Sequence, residues 1–242
     1  MELRFIHFYP DLMSLYGSYA NLTVLKRTLE AMGNTVTVER IEPGVSADLA
    51  GADFLFMGAG TERAQKAALT DLLLHYGNDI RELAAGGTAM LFAGNSMELL
   101  GKSVTDAEGK EYNGIGLAKF TSVQGKRRMV EDVYGQTDLY ADPIVGFMNK
   151  CGITSGVETP LVTSMAMGFG NEAKGGAEGF HWNNVFASQL TGPILVKNPR
   201  LLEAVIAAIY SHRDETLPAI PKDEYAESGF ATTAEQLKLR CK

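Results

Sequence analysis

Cysteine is scarce in this chain of 242 residues, which contains only Cys151 and Cys241. Their spacing suits neither a disulfide framework nor a metal site, so we expect a reducing compartment and no bound metal. We also expect no cofactor. Long apolar runs are also missing, because no uninterrupted stretch approaches the roughly 18 residues of a membrane span. The first residues lack the basic region and apolar length of a signal peptide. We therefore expect a cytoplasmic protein without membrane insertion.

Basic residues are too few for a general nucleic-acid-binding protein, since 22 Lys and Arg face 29 Asp and Glu and the net charge is −7. One local basic run, Lys126-Arg127-Arg128, is interpreted as a solvated hairpin tip, with a cation near a pocket as the alternative. The composition is that of a globular protein with a sizeable core, being 45% hydrophobic and 21% charged.

The first hundred residues alternate between strand and helix patterns. Apolar or alternating runs predict strands at residues 3–9, 35–41, 52–57 and 88–93, and leucines at helical spacing predict the helices between them. This order predicts an α/β fold with an open, mostly parallel (mixed) sheet and helices on both faces. Short strands and turns follow, then a helix near 201–210. We predict one domain over residues 1–212 and a C-terminal appendage over 213–242, with a weak helix at 233–240.

Two short loops follow predicted strands and should face one pocket, because the carboxyl ends of parallel strands meet at the same edge of a sheet. Gly58-Ala59-Gly60 is a plausible anion or oxyanion nest, although small residues at this place more often only fit a tight turn. Gly94-Asn95-Ser96 is the elbow of a strand-elbow-helix unit, the arrangement that lifts a nucleophile out of a sheet. The elbow offers no cysteine.

Several motifs spread along the chain carry a resemblance. They are residues 7–17 (HFYPDLMSLYG), 58–63 (GAGTER), 99–102 (LLGK), 145–149 (VGFMN), 168–171 (GFGN) and 192–195 (GPIL). Together they resemble the class I glutamine amidotransferases of the cobyric-acid-synthase (CobB/CobQ) type, most closely the GatD-type subunits of lipid II isoglutaminyl synthase. The resemblance implies a flavodoxin-like fold. It also implies hydrolysis of glutamine by an elbow cysteine and a histidine, with ammonia passing to a Mur-ligase-like (MurT-type) partner that amidates the peptidoglycan precursor.

The residues that carry this chemistry in the family are replaced. The alignment places Gly94 at the cysteine, Asn95 and Ser96 at two glycines, Glu98 at a glutamine, and Thr191, before Gly192-Pro193, at the histidine. Glycine has no side chain and threonine takes no proton near neutral pH, so we predict no catalytic residues and a catalytically degenerate subunit. The predicted substrate pocket consists of Gly58, Ala59, Gly60, Gly94, Asn95, Ser96, Glu98, Arg128 and Thr191.

Other interpretations stay open. Ser96, Glu98, Cys151 or His181 would serve a repurposed hydrolase or transferase if they converged, and a relocated nucleophile would give an active glutaminase. Ser96 is better interpreted as a helix cap, Cys151 as an incidental thiol in a loop at 149–152 with no adjacent base, and His181 as structural. A third hypothesis is a small-molecule-binding protein, for glutamine or another ligand, without a ligase partner.

Overall fold

The structure, a computed structural model, describes residues 1–241, which form eleven β-strands, six α-helices and one 3-10 helix. The strands are β1 (Glu2–Phe8), β2 (Thr35–Ile41), β3 (Phe54–Met57), β4 (Ala89–Ala93), β5 (Ser103–Thr105), β6 (Glu111–Asn113), β7 (Thr121–Gln136), β8 (Ile144–Ser155), β9 (Ser164–Met167), β10 (Phe180–Trp182) and β11 (Val185–Ser188). The α-helices are α1 (Ala20–Ala31), α2 (Glu62–His75), α3 (Gly77–Ala85), α4 (Ile194–Lys197), α5 (Pro199–His212) and α6 (Glu224–Arg240). The 3-10 helix, Gly94–Leu100, is called the elbow helix.

The main sheet has six strands in the order β10-β11-β4-β3-β1-β2, and all neighbours are parallel except β10 and β11. Its strands are apolar on both faces: in β3, Phe54 and Phe56 share a core with α1 and α5, while Leu55 and Met57 share a core with α2 and α3. Burial on both faces is what a parallel sheet requires. The predicted α/β fold with helices on both faces is therefore confirmed.

Several predicted elements are confirmed closely. The second strand has the predicted bounds, and β3 and β4 begin within two residues of the predicted positions. Thr61 caps α2, because its hydroxyl accepts a hydrogen bond from the Ala64 N–H at 3.1 Å. Strands β10 and β11 pair through a turn at Asn183-Asn184. Local signals were sufficient to locate the parallel strands.

A second sheet, with the order β6-β5-β7-β8 and with β9 on β7, corrects two predictions. Lys126-Arg127-Arg128 is not a hairpin tip, since it lies within β7 where the register with β8 shifts between Gln124 and Met129. At such an irregularity, one strand has extra residues that do not pair with the neighbouring strand, and these residues can be polar and exposed. Residues 149–152 are not a loop, since they lie in β8, where Lys150 is buried and Cys151 half-buried.

The C-terminal helix α6 is longer than the predicted 233–240. It begins at Glu224 because the Asp223 carboxylate accepts hydrogen bonds from the Tyr225 and Ala226 N–H groups. The helix contacts β7, β8, α4 and α5, and Arg240 donates to Asp132 at 2.5 Å. Among residues 1–241, no helix combines the length and apolar character needed to cross a bilayer.

Asn198 is a buried link between the second sheet and the helical layer. Its Oδ1 accepts from the Val145 N–H at 2.8 Å, and its Nδ2 lies 2.9 Å from the carbonyl oxygens of both Val145 and Ile194. The side chain is 1% exposed, so water cannot replace these bonds. Asn198 therefore fixes how β8 sits on α4.

We expect Asn198→Ala to lower the free energy of unfolding by about 2–4 kcal/mol, because buried backbone groups of Val145 and Ile194 lose their partner. Urea denaturation of both proteins measures the difference. Asn113→Ala, at an exposed strand position, is the control and should change stability by no more than about 0.5 kcal/mol. Equal losses in the two variants would contradict a linking role for Asn198.

Candidate functional site

The elbow between β4 and the elbow helix leaves no room for a side chain at its first residue. Gly94 has φ +72°, a left-handed conformation that L side chains rarely adopt. Strands β3 and β4 are parallel neighbours, so the loop after β3 lies beside it. A Cβ at position 94 would lie 2.5 Å from the Ala59 Cβ. Backbone conformation and steric contact therefore both require glycine at this position.

Two amides of the predicted anion nest, those of Ala59 and Gly60, form hydrogen bonds within the chain. The Gly60 N–H donates to Asn95 Oδ1 at 3.0 Å, and Asn95 Nδ2 donates back to the Gly60 carbonyl at 3.0 Å. The Ala59 N–H donates to Ser18 Oγ at 3.3 Å. These two amides, which the sequence suggested would approach a ligand, thus have intramolecular acceptors. The two loops do lie side by side, but Asn95 of one loop is hydrogen-bonded to the backbone of Gly60 in the other.

Ser96 is fully buried, and its hydroxyl lies 3.0 Å from the carbonyl oxygens of both Met57 and Ala93. The interpretation of Ser96 as a helix cap is wrong, because the elbow helix begins after Ala93 with no side-chain cap. A hydroxyl enclosed by carbonyl oxygens is a donor to the backbone and has no base in contact to activate it. Ser96 joins the ends of β3 and β4.

Glu98 lies at the centre of a buried polar cluster. Its Oε2 accepts hydrogen bonds from Gln65 Nε2 at 2.8 Å and from Gln124 Nε2 at 2.9 Å. Burial raises the pKa of the Glu98 carboxyl above its ordinary value, although the two amide donors oppose this shift. Gly152 in β8 provides space, since a Cβ there would overlap Glu98 Oε1. The cluster joins α2, the elbow helix and β7.

Gln65 and Gln124 are buried residues of the site that the sequence motifs do not indicate. One signal was available for Gln65, which occupies the buried face of α2 together with Leu69 and Leu72. An amide at a helical position otherwise filled by apolar residues needs a buried hydrogen-bond partner. Gln124 is one of the buried positions in the first part of β7, next to exposed Gly125. Nothing local to that strand identified its partners on α2 and the elbow helix.

Cys151 does have an adjacent base, contrary to the prediction. Its Sγ lies 3.2 Å from Glu62 Oε1 at the start of α2, and Arg128 Nη1 lies 2.9 Å from the same oxygen. Burial and the Glu62 carboxylate raise the pKa of the Cys151 thiol to about 12. A thiol with this pKa stays protonated near neutral pH, whereas reactive cysteines have lowered values. Arg128 is further tied to Asn149 Oδ1 at 2.6 Å.

Of the remaining predicted residues, Thr191 lies in the lining of the same space as Glu98 and Cys151, whereas His181 lies outside it. Thr191 Oγ1 donates to the Phe147 carbonyl at 3.0 Å, so its hydroxyl is engaged with the backbone. His181 lies in β10 with its ring centroid 4.9 Å from that of Phe186, and burial lowers its pKa. Neither residue contacts Cys151 or Glu98 through any hydrogen bond found within residues 1–241.

The structure brings most predicted pocket residues around one small space, which we call the elbow space. It is about 20 Å³ in volume and is lined by Ala59, Gly60, Gly94, Asn95, Glu98, Arg128 and Thr191, together with Tyr16, Glu62, Gln124, Asn149, Lys150, Cys151 and Gln189. Gly58 and Ser96 lie outside the lining. This volume suits about one water molecule and does not accommodate an amino acid.

Comparison with known proteins identifies the family. Residues 4–199 match the model of the CobB/CobQ-like glutamine amidotransferase domain. The chain belongs to this family. Two similar proteins are named lipid II isoglutaminyl synthase (glutamine-hydrolyzing) subunit GatD. The one from Streptococcus pneumoniae is 29% identical over 90% of this chain and 85% of its own length. The one from Staphylococcus aureus is 27% identical over 92% of this chain and 89% of its own length.

The fold of this CobB/CobQ-like domain is similar to a solved structure titled PurLQS from Thermotoga maritima. The TM-score is 0.50 with 14% identity, and the match covers 88% of this chain and 100% of that chain. At this identity the likeness concerns the fold alone. Within residues 1–241, no group of three or more His, Cys, Asp or Glu side chains is arranged to hold a metal ion.

Substitution of Gly94 tests the contact with Ala59. We expect Gly94→Ala to lower the free energy of unfolding by roughly 1–3 kcal/mol, from overlap and from the left-handed backbone. In an Ala59→Gly background the overlap disappears but the backbone strain stays, so the same substitution should cost less there. The difference between the two backgrounds, a double-mutant cycle, isolates the contact. Identical costs in both backgrounds would contradict the steric explanation.

Glu98→Gln tests the buried carboxyl through pH. The folded protein holds a proton on Glu98 at pH values where the unfolded chain has released it, so this carboxyl favours the folded state fully only below its ordinary pKa. Its contribution is lost as the pH rises through the raised folded pKa. A glutamine carbonyl still accepts from Gln65 and Gln124 and carries no charge. We expect the variant's advantage in unfolding free energy to be larger at pH 8 than at pH 5.

Urea titrations of both proteins at the two pH values measure this advantage. Glu111→Gln, at an exposed strand position, is a matched carboxyl control and should show the same stability difference at both pH values. A Glu98→Gln difference that is independent of pH would mean that Glu98 is not held protonated by burial.

Proposed function

We propose that this chain is a catalytically degenerate subunit of the CobB/CobQ-like family that binds a Mur-ligase-like partner in the amidation of lipid II. The two relatives named as lipid II isoglutaminyl synthase subunits support the pathway, because they align with nine-tenths of the chain. The partner would then take ammonia from solution. The chain would contribute binding and positioning instead of glutamine hydrolysis.

The observation that carries this proposal is the contact between Gly94 and Ala59. Nucleophilic attack on an unactivated amide requires a side chain at the apex of the elbow and a base within reach. The apex residue is glycine, and the volume that its Cβ would occupy is already taken by the Ala59 Cβ. A cysteine restored at this position alone would therefore collide with the neighbouring loop.

Other features around the elbow support the same proposal. Thr191, at the place of the family's histidine, donates its hydroxyl to a backbone carbonyl and offers no base. Asn95 occupies the Gly60 amide that would otherwise be free to stabilise an oxyanion. Nucleophile, base and oxyanion donor are thus all replaced by internal contacts.

A relocated nucleophile is the second candidate, and the contact between Cys151 and Glu62 favours it. The pair has the distance of a nucleophile and its base, and Arg128 lies on the same carboxylate. One property weighs against it. Burial and the Glu62 carboxylate raise the pKa of the Cys151 thiol to about 12, which disfavours the thiolate.

Ammonia release from glutamine separates the two candidates. We expect no release above the uncatalysed background from the purified chain, alone or mixed with a Mur-ligase-like protein from the same organism. Cys151→Ser should leave this result unchanged, and Thr163→Ser, which alters an exposed hydroxyl far from the elbow space, is a control for handling. Turnover by the wild-type chain that Cys151→Ser abolishes would overturn the degenerate-subunit proposal and establish the relocated nucleophile.

The same mixture reports on the partner. Light scattering on the mixture should show a complex of the two chains. Amidation of lipid II by the complex should require ammonium salts and should not proceed with glutamine alone. An absent complex, together with absent ammonia release, would favour the hypothesis of a small-molecule-binding protein without a ligase partner.

A further inference from the structure

A groove in the helical layer lies away from the elbow space and is called the α1 groove. It has a volume of about 660 Å³ and is enclosed by α1, by α4 and the start of α5, and by the segment 220–227 that leads into α6. The face of α1 that lines the groove consists of Ala20, Thr23, Val24, Arg27, Thr28 and Ala31. An α-helix rises about 1.5 Å per residue, so this face is roughly 16 Å long. The residues that line the groove differ from those that line the elbow space.

The α1 groove contains apolar surface that the fold leaves uncovered. Val24, Leu202 and Ile220 pack against the core on one side and are only partly buried. Val196 is 40% exposed and Tyr225 is 91% exposed. All five side chains line the groove. Such surface gains free energy when another apolar surface covers it, and its concentration at one place is typical of an interaction site.

Tyr225 is the most exposed large apolar side chain of residues 1–241, and its backbone is held in place. The Asp223 carboxylate accepts a hydrogen bond from the Tyr225 N–H at 3.0 Å. Arg200 of α5 forms an ion pair with Glu227, in the same turn of α6. Tyrosine is enriched among the residues that dominate protein interfaces, because it buries a large area and loses few rotamers. Tyr225 is therefore positioned to enter a second protein surface at little cost in backbone entropy.

The two walls of the α1 groove carry opposite charges. Arg27 is exposed on the α1 wall, and Glu224 is exposed on the α6 wall. Neither side chain forms an ion pair within residues 1–241. The other charged residues of the lining are Lys222, which is exposed, Asp223, which caps α6, and Glu203 and Glu227, which are paired with Arg200. One cation and one anion, on opposite walls, are thus available to a partner.

We propose that the α1 groove is the interface of a homodimer. In a contact with two-fold symmetry, a residue of one copy meets a second residue of the other copy, and the reverse contact forms at the same time. Arg27 of each chain then meets Glu224 of the other, and each Tyr225 ring covers the apolar lining of the other groove. The opposite charges of the two walls favour a second copy as the occupant, because they make the surface complementary to itself. This inference goes beyond the proposed function, since it requires neither glutamine nor a ligase.

Analytical ultracentrifugation of the purified full chain, over a range of concentrations up to about 100 μM, measures the dimer dissociation constant. We expect a monomer–dimer equilibrium in this range. Tyr225→Ser should raise the dissociation constant at least about tenfold, because each dimer loses two aromatic anchors. Leu239→Ser is the matched control, since Leu239 lies on the same helix, is 64% exposed and is not part of the groove lining. It should leave the dissociation constant unchanged.

Charge reversal tests the pairing across the two-fold axis. Arg27→Glu places two carboxylates opposite each other in both halves of the dimer, and Glu224→Arg places two cations there. Each single variant should weaken dimerisation about fivefold or more, because two contacts become repulsive. The double variant Arg27→Glu, Glu224→Arg restores opposite charges, so its dissociation constant should return to within about threefold of the wild-type value. All positions are exposed, and thermal unfolding verifies that each protein is folded.

Three results would overturn the homodimer. The first is a wild-type chain that stays monomeric at every concentration. If such a chain loses its complex with the Mur-ligase-like protein through Tyr225→Ser, the groove belongs to that protein instead of a second copy. The second is a dimer that Tyr225→Ser leaves intact, which would place the interface elsewhere. The third is a double charge variant that dimerises no better than the single variants, which would contradict the pairing of Arg27 with Glu224.

Discussion

The arrangement of the candidate site depends on how closely the loops after β3 and β4 approach each other. The missing Cβ at Gly94 lets the Ala59 methyl group fill the apex of the elbow. With the loops this close, Asn95 reaches the backbone of Gly60 with both its amide donor and its acceptor. Ser96 reaches the carbonyl oxygen of Met57. In an open α/β fold, a ligand binds at this edge of the sheet. Here the loops at the edge form hydrogen bonds with each other.

Hydrogen bonds between buried polar groups also connect the elbow to the second sheet. Glu98, Gln65 and Gln124 connect the elbow helix, α2 and β7. Burial lowers the pKa of Lys150 to about 8, and its ammonium donates to the carbonyl oxygens of Gly170 and Asn171. A hydrogen-bonded polar network rigidifies the elements that it joins. The polar residues near the elbow are therefore committed to structure, which is a physical reason why they are poor candidates for catalysis.

Much of the fold followed from the sequence, whereas the site followed only in part. The parallel strands were predictable because each is a short apolar run between turn residues. The long strands β7 and β8 were not, because exposed basic and small polar residues interrupt their alternation and the register of their pairing shifts between Gln124 and Met129. Helix α6 was underestimated because Leu237 is its one buried residue. The contact between Cys151 and Glu62 joins residues 89 positions apart, so no local pattern indicates it.

Closure of the elbow changes where a small molecule can bind this chain. A space of about 20 Å³ holds no more than a water molecule, so binding free energy for a ligand must come from another surface. A neighbouring cavity shares Glu62 and Arg128 with the elbow space. The Arg128 guanidinium is paired with Glu62 and also donates to Asn149, so the cation that lines both spaces is already engaged within the chain.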